Sequence, residues 1–102
     1  MASGTGTAVL DFGANNNAAS VVLTGMTGIT SAALIEPWVM PVDTTGLGNG
    51  HTEDEHALLA MLCAIWVPAS SINAGAGTAT LKAQCLAGVL AGKWKISYAW
   101  NG

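Results

Sequence analysis

The most regular pattern of apolar and polar positions covers residues 93–100, which read KWKISYAW. Large apolar side chains alternate there with charged or small ones. Strict alternation over this length is typical of a β-strand with one buried and one exposed face. The residues on the predicted core-facing side of this strand are Trp94, Ile96, Tyr98 and Trp100.

Other segments of the chain carry further strand patterns. Residues 78–85 alternate between polar and apolar side chains, and residues 5–12, 20–24 and 34–40 are rich in apolar side chains or Thr. Pro37 has no N–H to donate to a neighbouring strand, so it predicts a sheet edge or a bulge within residues 34–40.

Turns rich in Gly and Asn separate these segments. They occupy residues 13–17, 25–28, 41–50, 73–77 and 88–92. Short strands separated by turns at this spacing predict an all-β fold. We expect an antiparallel β-sandwich of roughly six to eight strands, with a jelly-roll or an immunoglobulin-like arrangement.

The segment at residues 52–66 carries signals for both a helix and a strand. Thr52 and, three residues later, Glu55 form a capping-box pattern, and the Ala and Leu residues that follow favour a helix. Residues 62–67 read LCAIWV, however, which favours a buried strand. The residues alone leave both structures open, including one short helix near residues 52–61.

Length and composition predict one domain that is covered by other protein. A chain of 102 residues has room for a single domain, which we expect at residues 5–102 after a loose arm at residues 1–4. Hydrophobic residues make up 51% of the chain and charged residues only 9%, whereas an ordinary soluble domain has about 25% charged residues. We therefore expect a homo-oligomer or a subunit bound to a larger assembly.

The same numbers argue against membrane and nucleic-acid partners. The apolar run at residues 57–67 stops at Pro68 and is shorter than the roughly 20 residues that span a bilayer. The first residues have neither the basic region nor the apolar core of a secretory signal. A net charge of −3 with only three Lys residues provides no basic face for phosphates.

The densest group of polar side chains is a candidate contact with a neighbouring subunit. Its members are His51, Glu53, Asp54, Glu55 and His56. Imidazole and carboxylate are also metal ligands, which makes His51, Asp54 and His56 the candidates for a metal site. Their spacing matches no established metal motif, so we expect no metal and a polar contact or a solvated loop.

No other residues form a recognisable catalytic set. Cys63 and Cys85 lie among apolar neighbours and are predicted to be buried free thiols. The histidines have no Ser in a Gly-x-Ser-x-Gly turn to activate. The sequence therefore predicts no catalytic residues, no cofactor and no enzymatic activity.

Apolar contacts with a partner are predicted at Ile65 and Trp66, within the apolar run. Trp38 and Trp66 are less clearly core residues than the other tryptophans, and indole rings also stack on sugars. Two of these rings lining one open groove would instead favour a module that binds glycans or a host surface. That function is the alternative to a structural role.

Six segments together resemble small proteins encoded in the structural-gene regions of tailed bacteriophages. They are VLDFGA at 9–14, VVLTGMTGI at 21–29, LIEPWVMP at 34–41, HTEDEH at 51–56, INAGAGTATLKA at 72–83 and GKWKISYAW at 92–100. They occur in the same order and cover most of the chain. The chain departs from the pattern at residues 57–71, which are longer and more apolar.

The resemblance implies a β-sandwich associated with a virion and assembled in the host cytoplasm, without enzymatic activity. It favours a strand in the second half of residues 52–66. The implied roles are a capsid decoration or cement protein, a head-fibre subunit or a tail-adjacent protein. The implied partners are other copies of the chain, the major capsid protein or another virion protein.

Overall fold

The computed structural model describes residues 3–40, 42–48, 50–86 and 88–101. Six strands and one α-helix form the described fold. In chain order they are β1 (Ser3–Asp11), β2 (Ala18–Leu23), β3 (Leu34–Val39), α1 (Glu53–Leu62), β4 (Cys63–Trp66), β5 (Ala79–Cys85) and β6 (Lys93–Asn101). The prediction of an all-β protein with one short helix is confirmed.

The strands form two three-stranded antiparallel sheets, with the orders β1-β6-β3 and β2-β5-β4. β6 and β5 are therefore the central strands. β3 lies at an edge, which confirms the position that Pro37 predicts, because a residue without an N–H is tolerated where one side of the strand is unpaired. The more specific β-sandwich stays a prediction.

One hydrophobic core receives side chains from both sheets. The alternation in β6 is confirmed, since all four of its predicted core-facing residues are buried. β5 contributes smaller buried side chains on alternate positions. These buried residues are Trp94, Ile96, Tyr98 and Trp100 from β6 and Ala79, Leu81, Ala83 and Cys85 from β5.

Glycines in β1 make room for the aromatic rings of β6. Gly4 pairs with Trp100 and Gly6 with Tyr98 across the sheet. A Cβ atom on Gly4 would lie 2.9 Å from the indole nitrogen of Trp100, and one on Gly6 would meet the Tyr98 ring. The Tyr98 hydroxyl donates a hydrogen bond to the carbonyl of Thr24, just after β2, over 3.3 Å. The small residues in β1 therefore leave room for the Tyr98 ring, whose hydroxyl bonds to the residue that follows β2.

Helix α1 begins at the predicted capping box. The Thr52 hydroxyl accepts a hydrogen bond from the Glu55 N–H, and the Glu55 carboxylate accepts one from the Thr52 N–H. The helix gives way directly to β4 at Cys63, so the segment contains both of the structures that its sequence favours. No helix in the described part of the chain is long and apolar enough to cross a membrane.

Two expectations about exposed positions are corrected. β1 begins at Ser3, which pairs with Asn101, so Ser3 and Gly4 are not part of a loose arm; residues 1–2 lie outside the described residues. Ala64 and Trp66 on one side of β4 are exposed, whereas Cys63 is buried. β4 is therefore not a strand buried on both faces within this chain.

The two cysteines are free and buried, as predicted. Cys63 in β4 is directly opposite Cys85 in β5. Burial raises the pKa of the Cys63 thiol, and the nearby Cys85 raises it further. Because the thiolate is the reactive species, a buried thiol with a raised pKa reacts slowly.

We expect both thiols to react with Ellman's reagent at pH 8 much more slowly in the folded protein than in urea, by more than about tenfold. The variant Ala64→Cys is the control, because Ala64 is exposed in the same strand. Its added thiol should react rapidly under native conditions. Equal native rates for the added thiol and the two natural ones would contradict the buried placement.

Candidate functional site

His51 lies flat against Trp94, the first core residue of β6. The ring centroids are 3.5 Å apart and the planes differ by 13°. His51 Nε2 lies 2.6 Å from the carbonyl oxygen of Ala91, which also accepts a hydrogen bond from the Trp94 indole N–H over 3.1 Å. The Ala91 carbonyl oxygen therefore contacts both rings and fixes how they stack. The His51 side chain is only partly exposed.

The other ring nitrogen of His51 faces α1. His51 Nδ1 is 3.6 Å from a carboxylate oxygen of Glu55. The hydrogen bond from the Thr52 N–H lowers the pKa of the Glu55 carboxyl below its ordinary value, and His51 adds to the effect. A carboxyl group with a lowered folded pKa stabilises the fold above its ordinary pKa, and that contribution is lost as the pH falls through the lower folded value.

The loop before α1 is fixed by a short ladder between Thr44 and His51. The Thr44 N–H donates to the His51 carbonyl and the His51 N–H donates to the Thr44 hydroxyl, each over 2.8 Å. The Thr44 hydroxyl in turn donates to the Lys93 carbonyl over 2.9 Å. Gly50 lies so close to Thr44 that a Cβ atom would overlap the Thr44 carbonyl. This ladder ties the His51 backbone to the start of β6.

His56 is completely buried and joins α1 to β6. Its Nδ1 lies 2.9 Å from the Thr52 carbonyl, and its Nε2 accepts a hydrogen bond from the Lys95 N–H over 2.9 Å. A backbone N–H can donate only to an unprotonated ring nitrogen. The geometry therefore assigns a neutral imidazole with its proton on Nδ1.

The expectation that His56 belongs to a solvated loop or to a polar contact with a neighbouring subunit is wrong, because His56 is completely buried. Protonating His56 would remove the acceptor of the Lys95 N–H. Glu53, Asp54 and Glu55 occupy the first turn of α1, where unpaired backbone N–H groups favour negative charge. All three acids are exposed, and Glu53 and Asp54 remain available for a partner, whereas the Glu55 carboxylate accepts from the Thr52 N–H and lies beside His51.

The candidate metal ligands do not converge. The His51 and His56 ring centroids are 6.5 Å apart, and both nitrogens of His56 already have partners. Asp54 is exposed in the first turn of α1. Within the described ranges, no group of three or more His, Cys, Asp and Glu side chains is placed to hold a metal ion.

An apolar groove begins beside the His51–Trp94 pair and has a volume of about 380 Å³. The residues that line it include Glu55, Leu58, Leu62, Val89 and Leu90. The Leu86 N–H donates to the Leu62 carbonyl, which places the segment after β5 beside the end of α1. Exposed apolar side chains lie on both of these segments. We call Leu58, Met61, Leu62, Leu86 and Val89 the apolar patch.

The predicted apolar contact residues lie away from this patch. Ile65 is partly buried against the core, whereas Trp66 is 42% exposed on β4. Trp38 is 46% exposed on β3, in the other sheet. The two exposed rings lie on edge strands of different sheets, and the alternative that depends on two tryptophans lining one open groove stays a prediction.

Sequence reasoning missed the role of His56, although a signal for it was present. His56 and Leu59 are three residues apart, which is the spacing of one helix face, and both are completely buried. That spacing assigns His56 to the core side of α1 and the acids before it to the solvent side. The stacking of His51 on Trp94 has no comparable signal, because it depends on how the loop at residues 42–48 and 50–52 crosses β6.

Comparisons of this chain with protein-family models, with curated proteins and with solved structures find no match.

Proposed function

We propose that this protein is a non-enzymatic structural subunit of a bacteriophage virion, of the capsid decoration, cement or head-fibre type. The observation that carries the proposal is the apolar patch. It is the surface through which the subunit packs against another copy of itself or against the major capsid protein. The subunit is assembled into the virion in the host cytoplasm.

The exposure of the patch in this chain supports the proposal that another protein covers it in the assembly. Leu58, Met61, Leu86 and Val89 are each more than half exposed. Adjacent exposed apolar side chains of this size are typical of protein interfaces rather than of a free monomer's surface. Only 9% of the residues are charged, so the chain has few groups with which to keep such a surface soluble.

The strand order supports a shell-forming fold. In a jelly roll, about eight strands form two sheets connected as Greek keys. We propose a jelly-roll arrangement with six of these strands, and the orders β1-β6-β3 and β2-β5-β4 support it. Viral capsid proteins are among the proteins that use this fold. Fold alone does not assign function, so the strand order adds to the patch but does not replace it.

The patch is tested by adding charge to it. We expect the double variant Leu58→Glu/Met61→Glu to convert an oligomer into a monomer in light-scattering measurements, or to abolish co-sedimentation with capsid shells that lack the subunit. A desolvated, unpaired carboxylate costs several kcal/mol, which is on the order of a thousandfold in affinity. Both residues are exposed, so the variant should fold.

The matched control is Leu34→Glu/Leu47→Glu, which adds the same charge at exposed apolar positions outside the patch. This control should assemble like the unmodified chain. A natural protein that is monomeric at high concentration and does not bind capsid shells would contradict the proposal. Equal loss of assembly in both double variants would remove the patch as the interface.

A further inference from the structure

The outer face of the sheet β2-β5-β4 carries a shallow depression of about 370 Å³. Strand register places its polar side chains together, because Lys82 is opposite Ser20 on one side and opposite Trp66 on the other. Gln84 lies two residues along β5, on the same face. Between them the side chains are small, with Ala18 opposite Gln84.

The polar groups around this depression have no partner in the part of the chain that the structure describes. The Lys82 ammonium, the Gln84 amide, the Ser20 hydroxyl and the Trp66 indole make no hydrogen bond, ion pair or ring contact among the described residues. All four side chains are exposed. They can therefore bind a ligand without giving up an internal interaction.

The charge of this face is opposite to that of the chain. The chain has six acidic residues and three lysines. The exposed positions of β2, β4 and β5 include Lys82 but no carboxylate. A cation without a nearby acid favours a ligand with a negative charge. A single cation is too little for a polynucleotide, whose binding requires several neutralised phosphates.

We propose that this depression binds a sugar that carries a carboxylate, such as a uronic acid unit of a polysaccharide. The Trp66 ring supplies a flat apolar surface for the C–H face of the pyranose. Lys82 pairs with the carboxylate in a charge-assisted hydrogen bond. The Gln84 amide and the Ser20 hydroxyl provide both donors and acceptors for the ring hydroxyls.

Trigalacturonic acid is a direct probe, and the same trisaccharide with methyl-esterified carboxylates is its neutral counterpart. Titration is followed through the backbone amide and indole N–H signals of isotope-labelled protein. We expect shifts at Ser20, Trp66, Lys82 and Gln84, with millimolar affinity. The neutral ester should bind about tenfold more weakly, because it lacks the charged partner of Lys82.

Three variants separate the contributions. Trp66→Ala should abolish binding of both trisaccharides, whereas Lys82→Gln should weaken only the acidic one, by about tenfold. Trp38→Ala is the matched control, since this ring is similarly exposed on the other sheet, and it should bind as the unmodified protein does.

Absence of shifts at high trisaccharide concentration would overturn the proposal, as would unchanged binding by Trp66→Ala. Equal binding of the acid and its ester would overturn the acidic class of ligand. The depression shares no residue with the apolar patch. Leu58→Glu/Met61→Glu should therefore bind trigalacturonic acid normally, whatever happens to its assembly.

Discussion

Replacing His56 by Ala is expected to lower the free energy of unfolding by about 3 kcal/mol. The change removes a completely buried ring. It also leaves the Lys95 N–H without its acceptor and the Thr52 carbonyl without the imidazole donor. An unsatisfied buried backbone group costs about 1–3 kcal/mol, and the cavity adds to that cost. Urea denaturation followed by circular dichroism measures the change.

Two further variants distinguish the buried hydrogen bonds from a general effect of changing α1. His56→Gln keeps a side-chain acceptor for the Lys95 N–H. Its free energy of unfolding should lie between those of His56→Ala and the natural protein. Glu53→Ala changes an exposed side chain in the same helix turn. Its free energy of unfolding should stay within about 0.5 kcal/mol of that of the natural protein. If His56→Ala is also within that range, His56 does not join α1 to β6 in the way described.

Replacing Gly50 by Ala is expected to destabilise the protein on the order of 3 kcal/mol. The new Cβ atom would overlap the Thr44 carbonyl and lie 2.7 Å from the Thr45 nitrogen. Both of these are backbone atoms, so relief requires the chain to move apart. That movement breaks the hydrogen bonds between Thr44 and His51.

Gly46→Ala provides the comparison within the same loop. A Cβ atom there meets nothing within 4 Å, and the unfolded chain is stiffened equally by both substitutions. Thermal unfolding should separate the two variants clearly. Trp94 emission should also change in Gly50→Ala, because His51 stacks on that ring. Identical melting curves for the two variants would show that the loop accommodates the extra atom.

The fold could be predicted where one local signal dominated. β6 was readable because large apolar residues alternate with small or charged ones through the whole strand, and one face of a strand must be buried. The start of α1 was readable because Thr52 and Glu55 satisfy each other's backbone groups without help from the rest of the chain. Such signals can be recognised in the sequence because the pattern that produces them lies within one short segment of the chain.

The candidate sites could not be predicted in the same way, because they depend on residues far apart in sequence. His51 and Trp94 meet only after the loop is tied to β6 through Thr44 and Lys93. The depression beside Trp66 needs the register of β2, β5 and β4 to bring Ser20 and Lys82 next to it. Neither register nor loop path can be read from residue spacing within one segment.

The pairing of β1 with β6 has a consequence for how the protein reaches its native state. Ser3 pairs with Asn101, and the ladder continues to Asp11 and Lys93. β3 also pairs with β6, so neither edge strand of this sheet has its partner until residues 93–101 have been synthesised. Closing such long loops before any cross-strand hydrogen bond forms is slow. Both β1 and β3 therefore expose unpaired strand edges until β6 joins them, which is when association with other chains competes with folding.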